Sequence, residues 1–554
     1  MPAEAGRRTA SAAPYRMAPE HRRVFAGLML GMFVAATSQM IVAPAMPRIV
    51  AELGGMEHYS WVAIAAMLVS AVSVPVIGKL SDLYGRRGFY LAGLVVFMIG
   101  SVVSGSAQAF WMLILGRGIQ GLGMGTLMPL SQTVIGDMIP ARQRGKYQGI
   151  MGSVFGLSSV VGPITGGWIT DNWGWRALFF VMVPIGLFAL VLIARFLHLP
   201  FQRRDAKVDM AGIITLTVGL VTTLLATSWG GTTYAWGSPQ ILALYATGVV
   251  ALVAFVLVER RAEEPVVPLR LFRSSVFTLS IIASFGIAMV MFGAMIYLPV
   301  FAQGVVGIDA TNSGLVLMPL MVSMIVLGIV AGTFVTRTGH YKEVMLVGVA
   351  VMGLGSWLLS RLTYTATQTE LTEAMVVMGV GLGLAMQLFV LVVQNAAAPR
   401  DLGVATASTQ FFRNVGSTVG IAVFGTIMTS GLARAIAAHL PGDVAAQMPA
   451  GGGSANAVLD PERLQSLPPV VAGAVRQGLA EQLHTVFLLG VPIMVLVFVI
   501  TMFIRALPLR ETVLPQEDGR HHDLEEFGNE LLDSMSQSAP NGAGADRDVS
   551  GLRV

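Results

Sequence analysis

No cysteine occurs in the 554 residues, so disulfides, thiolate metal sites and thiol nucleophiles are unavailable, and cysteine usage says nothing about redox compartment. Histidine is scarce as well: the eight residues lie scattered, without the spacing that ligands to one metal need. Charge is scarce for a chain of this length. Charged residues make up 12% against 54% hydrophobic, and mean hydropathy is +0.71. A soluble domain would not carry such values, so the solvent is mostly lipid. The net charge of +4 sits in loops and tails, where it bears on orientation and anionic headgroups and implies no nucleic-acid partner. Also missing are a nucleotide loop of the G-x-x-x-x-G-K-[ST] kind, a nucleophile with a paired base and a repeated filter sequence. Those absences weigh against a membrane-embedded enzyme or channel, because function has to reside in a site.

What is present is a run of apolar segments long enough to cross a bilayer. A helix of roughly 20 apolar residues matches the hydrocarbon thickness and satisfies its own backbone there. Six such segments lie near Val24 to Met46, Ser60 to Leu80, Gly88 to Gln108, Trp111 to Ile135, Tyr147 to Thr170 and Ala177 to His198. Two follow near Met210 to Ser228 and Gln240 to Val258. The last six lie near Val276 to Gln303, Asn312 to Val335, Glu343 to Ser360, Leu371 to Gln394, Val404 to Leu432 and Glu481 to Ile504. The chain reads as an all-α polytopic membrane protein with about 14 transmembrane helices by this criterion.

An even number of spans puts both termini on one side. Roughly 26 Lys and Arg fall in loops on that side and about 6 opposite, which the positive-inside rule reads as cytoplasmic termini. Arg7, Arg8 and Arg16 precede an apolar stretch too long for a signal-peptide core, so the first span is expected to stay uncleaved. The organisation expected is a cytoplasmic tail over 1–23, six helices over 24–198, two further helices with flanking loops over 199–274, six helices over 275–505, and a disordered cytoplasmic tail over 506–554. An external loop over 433–480 carries Gly451-Gly452-Gly453-Ser454 and then Leu464 to Leu483, a stretch able to form a short interfacial helix. In the tail, His521-His522-Asp523-Leu524-Glu525-Glu526 reads as a solvated acidic segment in preference to a metal site, since nothing fixes an outer shell around the His pair.

Four stretches carry functional signals. After the second span, Gly78-Lys79-Leu80-Ser81-Asp82-Leu83-Tyr84-Gly85-Arg86-Arg87 forms a tight hairpin in which Gly85 permits the turn and Asp82 can accept from a helix N-terminus or from Arg86. In the fourth span, Gly116, Arg117, Gly118, Gln120, Gly121, Gly123 and Gly125 set a permanent cation within an apolar helix. A charge there costs about 3 kcal/mol or more, so Arg117 should face a cavity or a partner; snorkelling outward is the bland alternative. In the fifth span, Gly156, Gly162-Pro163 and Gly166-Gly167 place small residues on one stripe with a bend, which suits close packing. Gly332 to Lys342 echoes the first hairpin, as an internal repeat of two halves would.

The hairpin is similar to the signature loop of the major facilitator superfamily, in which the acid and the arginine latch the two transporter halves. The Arg117 stretch resembles the superfamily motif associated with proton coupling, and the fifth-span stripe resembles its drug-exporter antiporter motif. Tyr297-Leu298-Pro299, Ser313-Gly314-Leu315, Arg337-Thr338-Gly339, Gln394-Asn395 and Arg413-Asn414-Val415-Gly416 continue the likeness, which covers Arg22 to Arg505. The resemblance is to the 14-span drug:proton antiporter branch. It implies two six-helix bundles plus two inserted helices, a gate at Gly78, Asp82, Gly85, Arg86 and Arg87, and export of small molecules by proton antiport from a bacterial plasma membrane. No cofactor is implied, and the partners are the substrate, protons and the bilayer, with the chain acting as a monomer.

The chain departs from that branch where an acid is usual in the first span: Thr37-Ser38-Gln39-Met40-Ile41-Val42 has Ser38 there. Met182 stands where an asparagine is common. Without a mid-span carboxylate, dications should bind poorly. Arg117, Asp137 and Glu373, with Glu481 and His484 outside, remain as coupling candidates, each also readable as a helix-terminal charge. The expected cavity takes Ser38, Gln39, Met40, Gln132, Tyr297, Gln303, Gln387, Gln394 and Arg413, with Met289, Met291, Phe292 and Met386 as deformable walls. A large amphipathic or neutral substrate fits these residues. The rival reading keeps the fold and assigns a dedicated endogenous metabolite or lipid without strict proton coupling.

Overall fold

The computed structural model describes residues 17–54, 61–198, 208–230, 233–308, 316–440 and 469–510. The expectations made for the N-terminal tail up to residue 16, for Ser313-Gly314-Leu315, for the middle of the external loop and for the tail beyond residue 510 lie outside those residues. The N-terminal half comprises α1 (Pro19–Met40), a short α2 (Met46–Leu53), α3 (Trp61–Tyr84), α4 (Arg86–Gly105), α5 (Phe110–Met138), α6 (Ala141–Trp173) and α7 (Arg176–Phe196). The inserted pair is α8 (Met210–Trp229) and α9 (Pro239–Glu259). The second half comprises α10 (Ser275–Phe301), α11 (Met318–Thr338), α12 (Tyr341–Ser360), α13 (Gln368–Ala396), α14 (Leu402–Ala438) and α15 (Pro469–Phe503).

Thirteen of these helices, among the described residues, are long and apolar enough to cross a membrane. The fourteenth, α5, is diluted by glycine and by Arg117, Gln120, Gln132 and Asp137, and lies packed between α3 and α4. Its glycines let it do so. A Cβ at Gly116 would fall 2.7 Å from the Ser104 backbone, and one at Gly123 would fall 2.8 Å from the Gly93 carbonyl. The first span ends at Met40, earlier than the apolar run suggests, because Pro44 and Pro47 remove helical donors and the chain passes through a 3₁₀ turn at Ala43–Ala45 into α2.

The two halves repeat one another. α3 and α4 turn through Gly85 alone at φ 95°, and the corresponding turn between α11 and α12 uses Gly339 at φ 81°. Both angles are in the region that glycine enters without strain. We call the end of the molecule bearing these turns the hairpin end. Each half has its own apolar core, one around Tyr90, Phe97 and Phe179 and the other around Leu298, Phe389 and Phe424. The inserted pair joins neither core. Leu216, Leu220, Phe255 and Val266 pack instead on Val72 of α3 and Phe411 of α14, along the seam between the halves.

α14 and α15 are much longer than a bilayer requires. Thirty-seven helical residues in α14 span about 55 Å at 1.5 Å per residue. Helix therefore continues to Ala438 and resumes by Pro469, both within the stretch expected as loop. Val475, Leu479 and Leu483 are buried, and Gly478 lies against the backbone of Ile436, so pairing with α14 holds this segment in one continuous helix.

Candidate functional site

α6 and α11 approach through glycines: a Cβ at Gly145 would lie 2.8 Å from the Gly332 carbonyl, and one at Gly149 would lie 2.9 Å from the Gly328 backbone. α3 meets α14 with Gly78 against Ala407. At the hairpin end these contacts are reinforced by charge. Asp82 accepts from the backbone amides of Gly403 at 3.2 Å and Val404 at 3.0 Å, the unpaired donors at the start of α14. It also accepts from Arg86 at 2.9 Å, while Arg86 reaches on to Asp137 and to the Thr133 carbonyl. One guanidinium is thus shared by two carboxylates, one of which caps a helix of the opposite half.

A polar cluster centred on Gln394 lies beside this latch. Gln394 donates to the Gln132 carbonyl at 3.0 Å and to Thr406 at 3.2 Å, and it accepts from Gln148 at 3.3 Å. The inserted segment adds two ion pairs, Lys79 with Glu264 at 2.6 Å and Arg270 with Asp401 at 2.8 Å. Neither pair was apparent from sequence, since 185 and 131 residues separate the partners. Gly403 carried no signal in the sequence; only the fold shows that a Cβ there would occupy the Asp82 carboxylate.

Further into the bundle, seven helices enclose a cavity between the halves. Gln39 of α1, Ser70 and Val74 of α3, Met124 and Met128 of α5 and Phe155 of α6 line one side. Met291 and Phe292 of α10, Met386 of α13, and Gln410, Arg413, Asn414 and Ser417 of α14 line the other. The space amounts to about 60 Å³ in this state, far below the several hundred Å³ of an occupied drug-sized pocket.

Of the residues the sequence proposed for a cavity, Gln39 and Arg413 line it, as do the expected walls Met291, Phe292 and Met386, while Met289 packs on Gly420. Ser38 lies behind Gln39, 1% exposed, and Arg117 holds it. Arg117 is 2% exposed and donates to the Ser38 hydroxyl and carbonyl, to Gln120 at 2.9 Å and to the Val62 carbonyl at 3.1 Å. Gln120 passes the chain on to Ser101 at 2.7 Å. Gln394 centres the polar cluster to which Gln132 lends its backbone carbonyl, Gln387 packs on Gly152 across the halves, Met40 packs on Gly162, Tyr297 packs against the second core and Gln303 sits in a π turn after α10. On α6, Gly156 faces Ile325 of the other half, Gly162 and Gly166 face the end of α1, and Gly167 meets open space. Glu373 is exposed near the start of α13, Glu481 faces His439 at 3.9 Å, and His484 contacts the Ser360 carbonyl.

Two repeated helical halves around a shared cavity, with one end latched, define a polytopic membrane transporter. The family model described as Major Facilitator Superfamily matches residues 28–421, and the chain belongs to that superfamily. It is similar to the multidrug transporter protein MdtP of Bacillus subtilis, with 37% identity over 87% of this chain and 93% of that protein. It is also similar to multidrug resistance protein 3 of Bacillus subtilis, with 35% identity over 87% of this chain and 94% of that one. Among solved structures, the proton:xylose symporter XylE matches with a TM-score of 0.58 at 14% identity, covering 88% of this chain and 98% of XylE, which is a likeness of fold.

Proposed function

We propose that this chain exports lipophilic or amphipathic small molecules across a bacterial plasma membrane by alternating access, driven by proton entry. The observation that carries the reading is the cavity between the halves combined with the Asp82 latch onto α14, because a site closed from one end by breakable contacts is what rocking of two bundles requires. The multidrug names of the relatives support an outward direction and a broad substrate class. With the termini on the cytoplasmic side, the hairpin end is the cytoplasmic end, and the structure is the state closed to the cytoplasm. We assign proton coupling to Asp82 and Asp137, since they share Arg86 at the contact that has to open. One proton crossing 100 mV supplies about 2.3 kcal/mol, enough to bias such a latch.

The test is growth protection against neutral, cationic and anionic toxic compounds in an efflux-deficient bacterium expressing the chain, paired with flux in proteoliposomes under an imposed pH gradient. Protection lost in Asp82→Asn, with membrane insertion unchanged, is the expected result. For Asp137→Asn, substrate exchange should survive while gradient-driven transport is lost. Gradient-driven transport at the normal rate in both variants would remove the coupling assignment.

A further inference from the structure

Arg413, half-buried, stands apart from the buried arginines Arg86 and Arg117. Arg86 is shared by two carboxylates, and Arg117 has four acceptors, two of them backbone carbonyls. Arg413 donates through Nη2 to the amide oxygen of Gln410, one turn earlier on α14, while its Nη1 is buried with no hydrogen-bond partner among the described residues. Gln410 turns its own amide to Asn414 at 3.1 Å, so the three side chains form a fixed polar strip that ends in an open guanidinium. This strip faces the cavity, and among the described residues Arg413 is the one charged side chain lining it, with no Asp or Glu beside it in the wall.

An interior cation with an unused donor is a costly arrangement unless a partner arrives during the working cycle. We infer that the cavity binds the carboxylate of an amphipathic organic acid at Arg413, with the apolar body of that molecule against Met124, Met128, Met291, Phe292 and Met386. The planar guanidinium matches a carboxylate with two parallel hydrogen bonds, and methionine walls adapt to varied apolar shapes. Gln410 holds the guanidinium plane, and a cationic substrate meets uncompensated like charge. The inference rests on the exporter reading for placing the cavity on a transport path, and it replaces a merely neutral or amphipathic substrate by an acidic one.

The experiment uses three xanthene dyes of one shape: fluorescein, an anion; rhodamine 110, which keeps the free carboxylate on a cationic ring; and rhodamine 123, its methyl ester. Binding is read by fluorescence anisotropy on purified full-length protein, and transport by quenching in proteoliposomes. The expected result is that wild-type protein binds fluorescein and rhodamine 110 at least tenfold more tightly than rhodamine 123. Arg413→Gln should remove that difference and Arg413→Lys should restore part of it. The comparison of acid with ester is made within wild-type protein, so it stands even if a variant folds poorly. Equal binding of rhodamine 110 and rhodamine 123 by wild type overturns the inference, as does failure of both acidic dyes to bind folded protein. Equal loss of all three dyes in a folded Arg413→Gln protein assigns Arg413 a structural role and also overturns it. Selective binding without transport leaves the inference standing and counts against the exporter reading.

Discussion

Nη1 of Arg117 donates to the hydroxyl of Ser38 at 3.1 Å and to its carbonyl at 3.2 Å, so a buried cation rests against the residue at which the family resemblance leads one to expect an acid. The carbonyl is one of the unpaired acceptors at the end of α1, and Arg117 satisfies it from α5. A carboxylate at this position would therefore form an ion pair with Arg117 and would not present a free anion to the cavity, whose wall begins at Gln39.

The prediction is that Ser38→Asp raises the melting temperature of the purified protein and does not extend protection to dications. Ser38→Ala should destabilise by no more than about 0.5–1.5 kcal/mol, because Nη1 of Arg117 keeps the Ser38 carbonyl and Gln120 as acceptors when the hydroxyl is removed. Arg117→Ala should keep membrane insertion and lose transport, since the end of α1 loses its anchor. A melting temperature for Ser38→Asp below that of wild type, or a rise in dication efflux at equal expression, would show that the introduced carboxylate does not reach Arg117.

At the latch, a Cβ on residue 403 would displace the Asp82 carboxylate from the two amides at the start of α14. Gly403→Ala should then abolish hairpin-end closure and transport while leaving insertion intact. The chain lacks cysteine, so spin labels can be placed singly at Lys146 and Thr336, which touch across the halves where the Lys146 amide donates to the Thr336 hydroxyl at 3.1 Å. Their distance distribution should move to longer values in Gly403→Ala. An unchanged distribution would mean that glycine contacts between α6 and α11 hold the end closed unaided.

Most of this architecture is legible in the sequence because lipid imposes it: apolar length marks each span, and the two glycine turns mark the repeat. α5 was legible by the same length rule even though Arg117 and its glycines lower its hydropathy. The hairpin residues Asp82 and Arg86 were readable from spacing. Their third partner, the start of α14, was not, because helix donors carry no side-chain signature and Gly403 lies 321 residues from Asp82. The open guanidinium of Arg413 was equally hidden. Sequence showed a charge in the thirteenth span, and only packing shows that no carboxylate comes near it among the residues lining the cavity.

The inserted pair is tied to both halves by Lys79 with Glu264 and Arg270 with Asp401. Lys79 and Asp401 are buried, but each has a partner open to solvent, Glu264 by a third and Arg270 by half, so each pair should contribute no more than about 1 kcal/mol. Glu264→Ala combined with Arg270→Ala should shift the Lys146–Thr336 label distances modestly toward open, and raising salt in wild type should give the same shift. A double variant indistinguishable from wild type at low salt would reduce the insertion to a lipid-facing spacer.

Acid should loosen α2. The carboxylate of Glu52, outside the spans, accepts from Arg176 and from the Trp175 indole at 2.7 Å, and these bonds, Arg176 first, hold its pKa below the usual 4.5. A group whose pKa is lowered by folding stabilises the folded state fully above its unfolded value, and that contribution is lost as pH falls through the lowered one. Trp175 emission and amide exchange over residues 46–53 should be steady from pH 7 to about 5 and change below the usual carboxylate range. Glu52→Gln should remove that dependence; if the acid transition persists in the variant, another carboxylate governs it.

The chain leaving α15 ties the second half to the first. Leu507 donates to the Tyr341 hydroxyl at 2.6 Å and accepts from it at 2.9 Å, and Asn395 grips the strap at both ends, donating to the Pro508 carbonyl and accepting from the Arg510 amide, each at 3.2 Å. The Arg510 carbonyl then accepts from the Arg142 amide at 3.0 Å, so a segment of the second half caps the start of α6 in the first. Asn395→Ala removes two hydrogen bonds worth about 1 kcal/mol each, which should shift the balance between closed and open hairpin ends by about tenfold or more. Hydrogen exchange over residues 141–145 should quicken in the variant, and the Lys146–Thr336 labels should report a larger open fraction. Faster exchange with no change in the label distances would confine the strap to capping α6 and exclude it from the gate.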